Sequence, residues 1–137
     1  MNLDRNCAVV DTSTLISVVL KPQSVLGEAF KKIRKQYELV ASLETLQELS
    51  GVLSRNKFDA FRPYGERMEF FELYCTMVKI YSITVSVNDC RDANDNKFLE
   101  LALSSRATLI LSSDPDLLVL NPYHNISIIN PRSFITP

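Results

Sequence analysis

The sequence predicts an α/β protein: a single three-layer, doubly wound domain spanning residues 1–137, with a parallel sheet covered by helices on both faces. Two observations carry this. Short apolar, β-branched runs alternate with helix-patterned segments long enough to cross back over a sheet. The 137 residues, 46% hydrophobic with only 3 Gly and 6 Pro, supply one sizeable core and exclude a disordered tail or a collagen-like fibre.

The run Cys7-Ala-Val-Val-Asp11 reads as a strand buried on both faces. A helix follows, with Thr12, Ser13 and Thr14 offering cap hydroxyls and Leu15 to Leu20 as its body, until Lys21-Pro22 stops it. Ser24 to Gln36 is an amphipathic helix, with Val25, Leu26, Ala29, Phe30 and Ile33 on one face and a basic cluster outside. Glu38 to Ala41 is strand two. Another helix opens at Ser42 or Leu43, with Leu46, Leu49 and Leu53 at helical spacing, and ends near Arg55-Asn56. Arg62-Pro-Tyr-Gly65 is a turn, Glu66 to Lys79 a helix, and Ile80 to Val87 alternates as strand three. A loop over Asn88 to Asn94 leads to a helix carrying Phe98, Leu99, Ala102 and Leu103. Ala107 to Leu111 is strand four. Asp114-Pro115 starts a helix whose apolar body is Leu117 to Leu120, and Ile126 to Ile129 is the last strand.

Fifteen Lys/Arg against sixteen Asp/Glu give a net charge of -1, against the basic footprint of a bulk nucleic-acid coater. No apolar run approaches the ~18 residues that span a bilayer, and Met1-Asn-Leu-Asp-Arg5 lacks the pattern of a signal peptide, so the reading is a soluble, cytoplasmic protein with no membrane partner. Cys7, Cys75 and Cys90 are widely spaced and His124 is the single histidine. These facts disfavour a zinc site, a paired-His ribonuclease and a Ser-His-Asp or Cys-His hydrolase.

The acids are the informative residues. In parallel sheets ligands sit outside the carboxyl ends of the strands, near the point where strand order reverses. Asp11 ends strand one, Glu48 lies about two turns into the helix after strand two, Asp89, Asp92 and Asp95 follow strand three, and Asp114 and Asp116 follow strand four. All fall at the carboxyl edge. An oxygen-only cluster of this kind suits Mg²⁺ or Mn²⁺. Each acid also has a structural explanation: Asp114 before Pro115 is a good N-cap, Asp92 with Asp95 resembles a capping box, and Glu48, with no Lys or Arg at 44, 45, 51 or 52, reads as a solvated helix residue. Asp11 is the hardest to explain by capping. Joint placement favours a metal site.

The same residues resemble the PIN-domain nucleases, in particular the group described as toxin components of toxin–antitoxin systems. The resemblance runs over nearly the whole chain, through Ala8-Val-Val-Asp11-Thr12-Ser13-Thr-Leu-Ile-Ser17, Leu46-Gln-Glu48-Leu49, Cys90-Arg-Asp92-Ala-Asn-Asp95-Asn-Lys-Phe-Leu-Glu-Leu-Ala102 and Leu111-Ser-Ser-Asp114-Pro-Asp116-Leu-Leu118. It implies a PIN-like fold and Mg²⁺- or Mn²⁺-dependent hydrolysis of phosphodiesters in single-stranded RNA. Its metal-binding and catalytic acids map onto Asp11, Glu48, Asp95 and Asp114, with Thr12, Ser13, Asp92, Ser112 and Asp116 as auxiliaries. Ser13 stands where many members have Asn, and Ser112 where many have Thr; both keep an oxygen. A cognate antitoxin is the implied protein partner.

For RNA backbone contacts the basic candidates are Lys31, Lys32, Lys35, Arg55, Lys57, Arg62 and Arg91, with a solvated helix face as the plainer role of the lysine cluster. Phe70, Phe71, Tyr74, Cys75, Met77 and Val78 cover more than one face of their helix; core packing takes most, and the remainder offers a homodimer surface. Two other classes compete. A phospho-acceptor receiver domain needs two acids after strand one and a Lys after strand five, which this chain lacks. A PIN-like module that binds RNA or protein without cleaving is the alternative that Ser13 keeps open.

Overall fold

Successive side chains of the central strands enter opposite cores in the computed structural model, which describes residues 5–136, and that alternation fixes the layers. The Met1 to Asp4 stretch read above for a leader lies outside the described residues. Among those residues five strands pair in parallel: β1 (Cys7–Val10), β2 (Glu38–Ala41), β3 (Lys79–Ile80), β4 (Leu109–Leu111) and β5 (Ser127–Ile129), in the order β3-β2-β1-β4-β5. Ala8, Val10, Leu39, Ala41, Leu109 and Leu111 face one core, while Val9, Val40, Ile110 and Ile128 face the other. A strand buried on both sides must be apolar throughout, which is why these runs do not alternate with polar residues.

The first core is closed by α1 (Thr12–Leu20), α2 (Val25–Gln36), α3 (Leu43–Leu53) and α4 (Tyr64–Met77); the second by α5 (Asn96–Ser105) and the single-turn α6 (Pro115–Leu118). A short α7 (Pro131–Ile135), absent from the sequence-based expectation, packs against α2, where Lys32 Nζ donates to the Phe134 carbonyl at 2.6 Å and sits 4.7 Å from its ring centre. The turn between α1 and α2 needs Gly27, because a Cβ there would lie 1.9 Å from the Pro22 carbonyl oxygen.

Several details differ from expectation. Strand three is two residues long, not Ile80 to Val87. Its neighbour β2 ends at Ala41, which accepts from Tyr81 N at 2.9 Å, and no strand continues beyond it to pair with. Residues 82–87 turn to α5 instead, where Thr84 N donates to Ser104 Oγ and Val87 N to Glu100 Oε2, each at 3.0 Å. Asp89 is exposed and accepts from Tyr123 Oη at 2.5 Å. The α1 cap is Asp11, not a hydroxyl of Thr12, Ser13 or Thr14. The turn at Arg62 is shorter than read, since α4 begins at Tyr64. Of the aromatic residues of α4, Tyr74 is buried, Phe70 stacks on it at 6.0 Å and Phe71 packs against the same core, while Tyr64 and Leu73 are left half exposed.

Sequence reading also missed Arg67. This arginine is fully buried in α4 and donates to the carbonyls of Leu53 (2.7 Å), Arg62 (2.5 Å) and Arg55 (3.3 Å) and to Asp59 Oδ1 (2.9 Å). It satisfies the orphan carbonyls after α3 and so fixes the loop from 54 to 62. Arg67→Met should cost about 3 kcal/mol, because several buried acceptors lose their donor at once. Urea unfolding of the two proteins measures this; a loss under about 1 kcal/mol would show that the loop does not depend on the arginine.

Candidate active site

The chain runs β1, β2, β3 outward and then crosses back to β4 on the other side of β1, so strand order reverses between β1 and β4. Asp11 and Asp114 lie beyond the carboxyl ends of those two strands. Asp11 is 2% exposed. Its Oδ1 accepts from Thr14 N at 3.0 Å, capping α1, and its Oδ2 accepts from Ser112 Oγ at 2.5 Å, with Ser13 Oγ 3.5 Å away. Burial pushes the Asp11 carboxyl above the usual range, the Ser112 and Thr14 donors oppose this, and Asp114 adds repulsion. Ser112 is itself buried and also accepts from Asp114 N at 2.9 Å, so one hydroxyl ties the ends of the two strands together.

Asp114 caps α6 as expected by accepting from Asp116 N at 2.9 Å, whereas of the expected Asp92–Asp95 capping box only the Asp92 half is present, accepting from Asn94 N at 3.0 Å at the start of the 3₁₀ turn Ala93–Asp95. Asp95 differs. It precedes α5 but makes no capping hydrogen bond, and its Oδ2 is buried with no hydrogen-bond partner. Its carboxyl is pushed up to about 7, first by burial, then by the hydrogen-bonded and charged Asp114 beside it, and then by Asp92 and Asp11.

Glu48 is not the unpaired helix residue its local sequence suggested. Lys97, on α5, places Nζ 2.5 Å from Glu48 Oε2; Asn94 Nδ2 donates to the same oxygen at 2.9 Å, and Thr12 Oγ1 to Oε1 at 2.6 Å. Burial raises the Glu48 carboxyl, but the Lys97, Thr12 and Asn94 hydrogen bonds and the lysine charge outweigh it and hold it below its usual value. Lys97 and Asn94 are thus site residues to which sequence reading gave no role; both lie in the Asp92 to Lys97 stretch quoted above.

Asp11, Thr12, Ser13, Glu48, Asp92, Asn94, Asp95 and Asp114 line a cleft of about 700 Å³ that also takes in Arg55, Lys57 and Phe58 from the loop that Arg67 holds; Lys97 and Ser112 do not line it themselves but bond Glu48 and Asp11, which do. Arg55 and Lys57 are therefore the basic candidates brought to the carboxylates. Lys31, Lys32 and Lys35 line a separate hollow of about 720 Å³ on α2, and Arg62 is engaged by Glu66 and by the Val19 carbonyl. Arg91 is exposed beside Asp92, and Asp116 does not line the cleft. The α2 hollow holds one acid, Glu28, so the carboxylate cleft is where the chemistry converges. Among the described residues no three acids form a ready-made metal cage. The donor set nevertheless fits a hard divalent cation, being all oxygen, with one buried carboxylate oxygen left without a donor.

Fold and site together define a three-layer α/β protein with an acidic cleft at its topological switch. The family model described as PIN domain matches residues 7–116, and the chain belongs to the PIN domain family, whose nucleases generally use divalent metals. A curated relative, the uncharacterized protein MJ1680 of Methanocaldococcus jannaschii, is 27% identical over an alignment covering 93% of this chain and 88% of the relative. Among solved structures, VapBC2 from Rickettsia felis, bound to a DNA fragment from its promoter, superposes with a TM-score of 0.64 at 12% identity, covering 90% of this chain and 98% of that one. PAE2754 from Pyrobaculum aerophilum gives 0.61 at 14% identity, covering 92% and 84%. At these identities the two structures speak for the fold.

Asp95 supplies a signed pH prediction. A carboxyl that binds its proton more tightly folded than unfolded destabilises the fold progressively as pH rises from 3.8, and the full penalty is reached above about 7. Glu48 has the opposite sign, but its stabilisation is lost only on acidification below its ordinary 4.5, outside this window. The metal-free protein should therefore melt higher at about pH 5 than at about pH 8, and Asp95→Asn should reduce that slope, leaving the part that the likewise raised Asp11 contributes, and remove most of the midpoint rise that Mn²⁺ gives at the higher pH. Calorimetry with EDTA and with Mn²⁺ checks both, and a slope unchanged in Asp95→Asn refutes the assignment.

Proposed function

We propose that the protein is a Mg²⁺- or Mn²⁺-dependent endoribonuclease that hydrolyses phosphodiester bonds of single-stranded RNA, and that it is the toxin of a toxin–antitoxin pair. The observation that carries the reading is the convergence of Asp11, Asp95 and Asp114, from three separate segments, at the switch between β1 and β4, with Asp95 Oδ2 buried and without a donor. Asp11, Asp95 and Asp114 would hold the cation directly or through water, and Glu48 would bind it or orient the attacking water. When bound, the cation supplies neutralisation of the scissile phosphate and a water acidic enough to react near neutral pH. Thr12 and Ser112 orient Glu48 and Asp11; Ser13, whose hydroxyl lies near Asp11, replaces the amide of many relatives with another oxygen. Asp92 and Asp116 act from the periphery.

Arg55 and Lys57 offset the acidic field for an incoming phosphate backbone, while Phe58 beside them offers a ring for a base. An antitoxin as partner is proposed by analogy with the VapBC2 assembly. A homodimer through the exposed Leu73 side of α4 belongs to the same proposal, and light scattering at micromolar concentration tests it. Three unpaired cysteines agree with a reducing cytoplasm, and no described helix is long and apolar enough to cross a membrane.

A labelled single-stranded RNA incubated with the purified protein should be cut in Mg²⁺ or Mn²⁺, spared in EDTA, and cut several orders of magnitude more slowly by Asp11→Asn or Asp95→Asn. Cutting that survives EDTA removes the metal mechanism. Binding of the RNA without any metal-dependent cutting favours the non-cleaving module.

A further inference from the structure

The acids of the cleft are of two kinds. Asp11, Asp95 and Asp114 repel one another, and Asp95 keeps a buried oxygen without a donor. Asp11 has a neutral donor on each oxygen, whereas Glu48 is held by donors from three segments, one of them cationic: Thr12 at the start of α1, Asn94 in the 3₁₀ turn, and Lys97 on α5. Lys97 is 11% exposed and Glu48 18%, and the lysine is held in addition by Asn94 Oδ1 at 3.0 Å. Exposed ion pairs contribute little because water competes for both partners, but a largely sheltered pair whose carboxylate already accepts from three donors has about one lone pair to spare and must give up part of that pairing to move onto a cation.

We propose that Lys97 is a positioning residue: it keeps Glu48 out of direct coordination, so that the cation is carried by the three aspartates and Glu48 acts on it only through water. The lysine charge also cancels one carboxylate, leaving a pocket less repulsive to a phosphate than its acid content suggests. The inference rests on the metal-dependent reading above and deepens it.

The test is the charge-neutral double variant Glu48→Gln/Lys97→Met, compared with wild type, Lys97→Met and Lys97→Arg by calorimetric titration with Mn²⁺ and by water-proton relaxation of the bound ion. If Glu48 is an outer residue, the double variant keeps the wild-type Mn²⁺ affinity within about threefold and the same number of ion-bound waters, since the pocket charge is unchanged. Lys97→Met alone frees an uncompensated carboxylate and should bind Mn²⁺ about tenfold tighter, whereas Lys97→Arg should stay near wild type. A loss of more than about threefold in the double variant overturns the proposal by making Glu48 a direct ligand, and Lys97→Met binding no tighter than wild type overturns it by showing that the lysine does not hold Glu48 away. Should Lys97→Met not fold, the double variant and Lys97→Arg decide the matter alone. Failure of the underlying reading looks different: neither heat nor a melting shift with Mn²⁺ in the wild-type protein, which overturns both.

Discussion

A carboxylate sealed at the end of a central strand is costly unless donors surround it, and Asp11 is met by the α1 backbone on one oxygen and by Ser112 on the other. The rest of the cleft depends on that arrangement. Ser112 accepts from Asp114 N while donating to Asp11, so the buried acid and the acid after β4 are registered against each other by one hydroxyl and by the parallel pairing of Val10 with Leu111. The cap places α1, α1 places Thr12, and Thr12 reaches Glu48 on α3. A Thr in place of Ser112 would keep the hydroxyl and add a methyl in a site with no exposed surface. Hence the oxygen, not the particular residue, is what the geometry requires.

Capping and ligand roles are not exclusive in this molecule. Asp11, Asp92 and Asp114 each cap a helix or turn, yet Asp11 and Asp114 line the cleft with oxygens to spare, since a cap uses one lone pair of a group that has about four. Asp95 breaks the pattern, being a carboxylate at a helix start that caps nothing. Its raised proton affinity is a cost the metal-free fold carries at neutral pH. Such a cost, with one carboxylate oxygen buried and without a donor, marks a residue placed for something other than stability.

The sheet was legible because β1, β2 and β4 are buried on both faces and so appear as unbroken apolar runs, and the carboxyl-edge acids were legible because strand direction follows from the helical crossovers. Strand three was not, because alternation along Ile80 to Val87 reports a half-buried extended segment and cannot say whether a neighbouring strand is long enough to pair with it. The Glu48–Lys97 pair escaped for a related reason. Charge-pairing rules see three or four residues along a helix, and these partners are 49 apart in sequence. Arg67 looked like one more charge on a polar helix start; only the carbonyls left by the end of α3 explain why it is buried.

That arginine also links scaffold to cleft. The loop from 54 to 62 carries Arg55, Lys57 and Phe58 to the cleft, yet its one regular piece is the single 3₁₀ turn Asn56–Phe58, and Arg55 and Lys57 are exposed. A loop of this length holds a fixed course only if something offsets its ordering entropy, and the donors of one buried guanidinium, bonded to three of its flanking carbonyls and to Asp59, are what this structure provides. The cationic wall of the cleft is thus held by a residue that never reaches it, just as the acidic wall is held by Ser112. Charge on both sides of the cleft is supported from the buried interior.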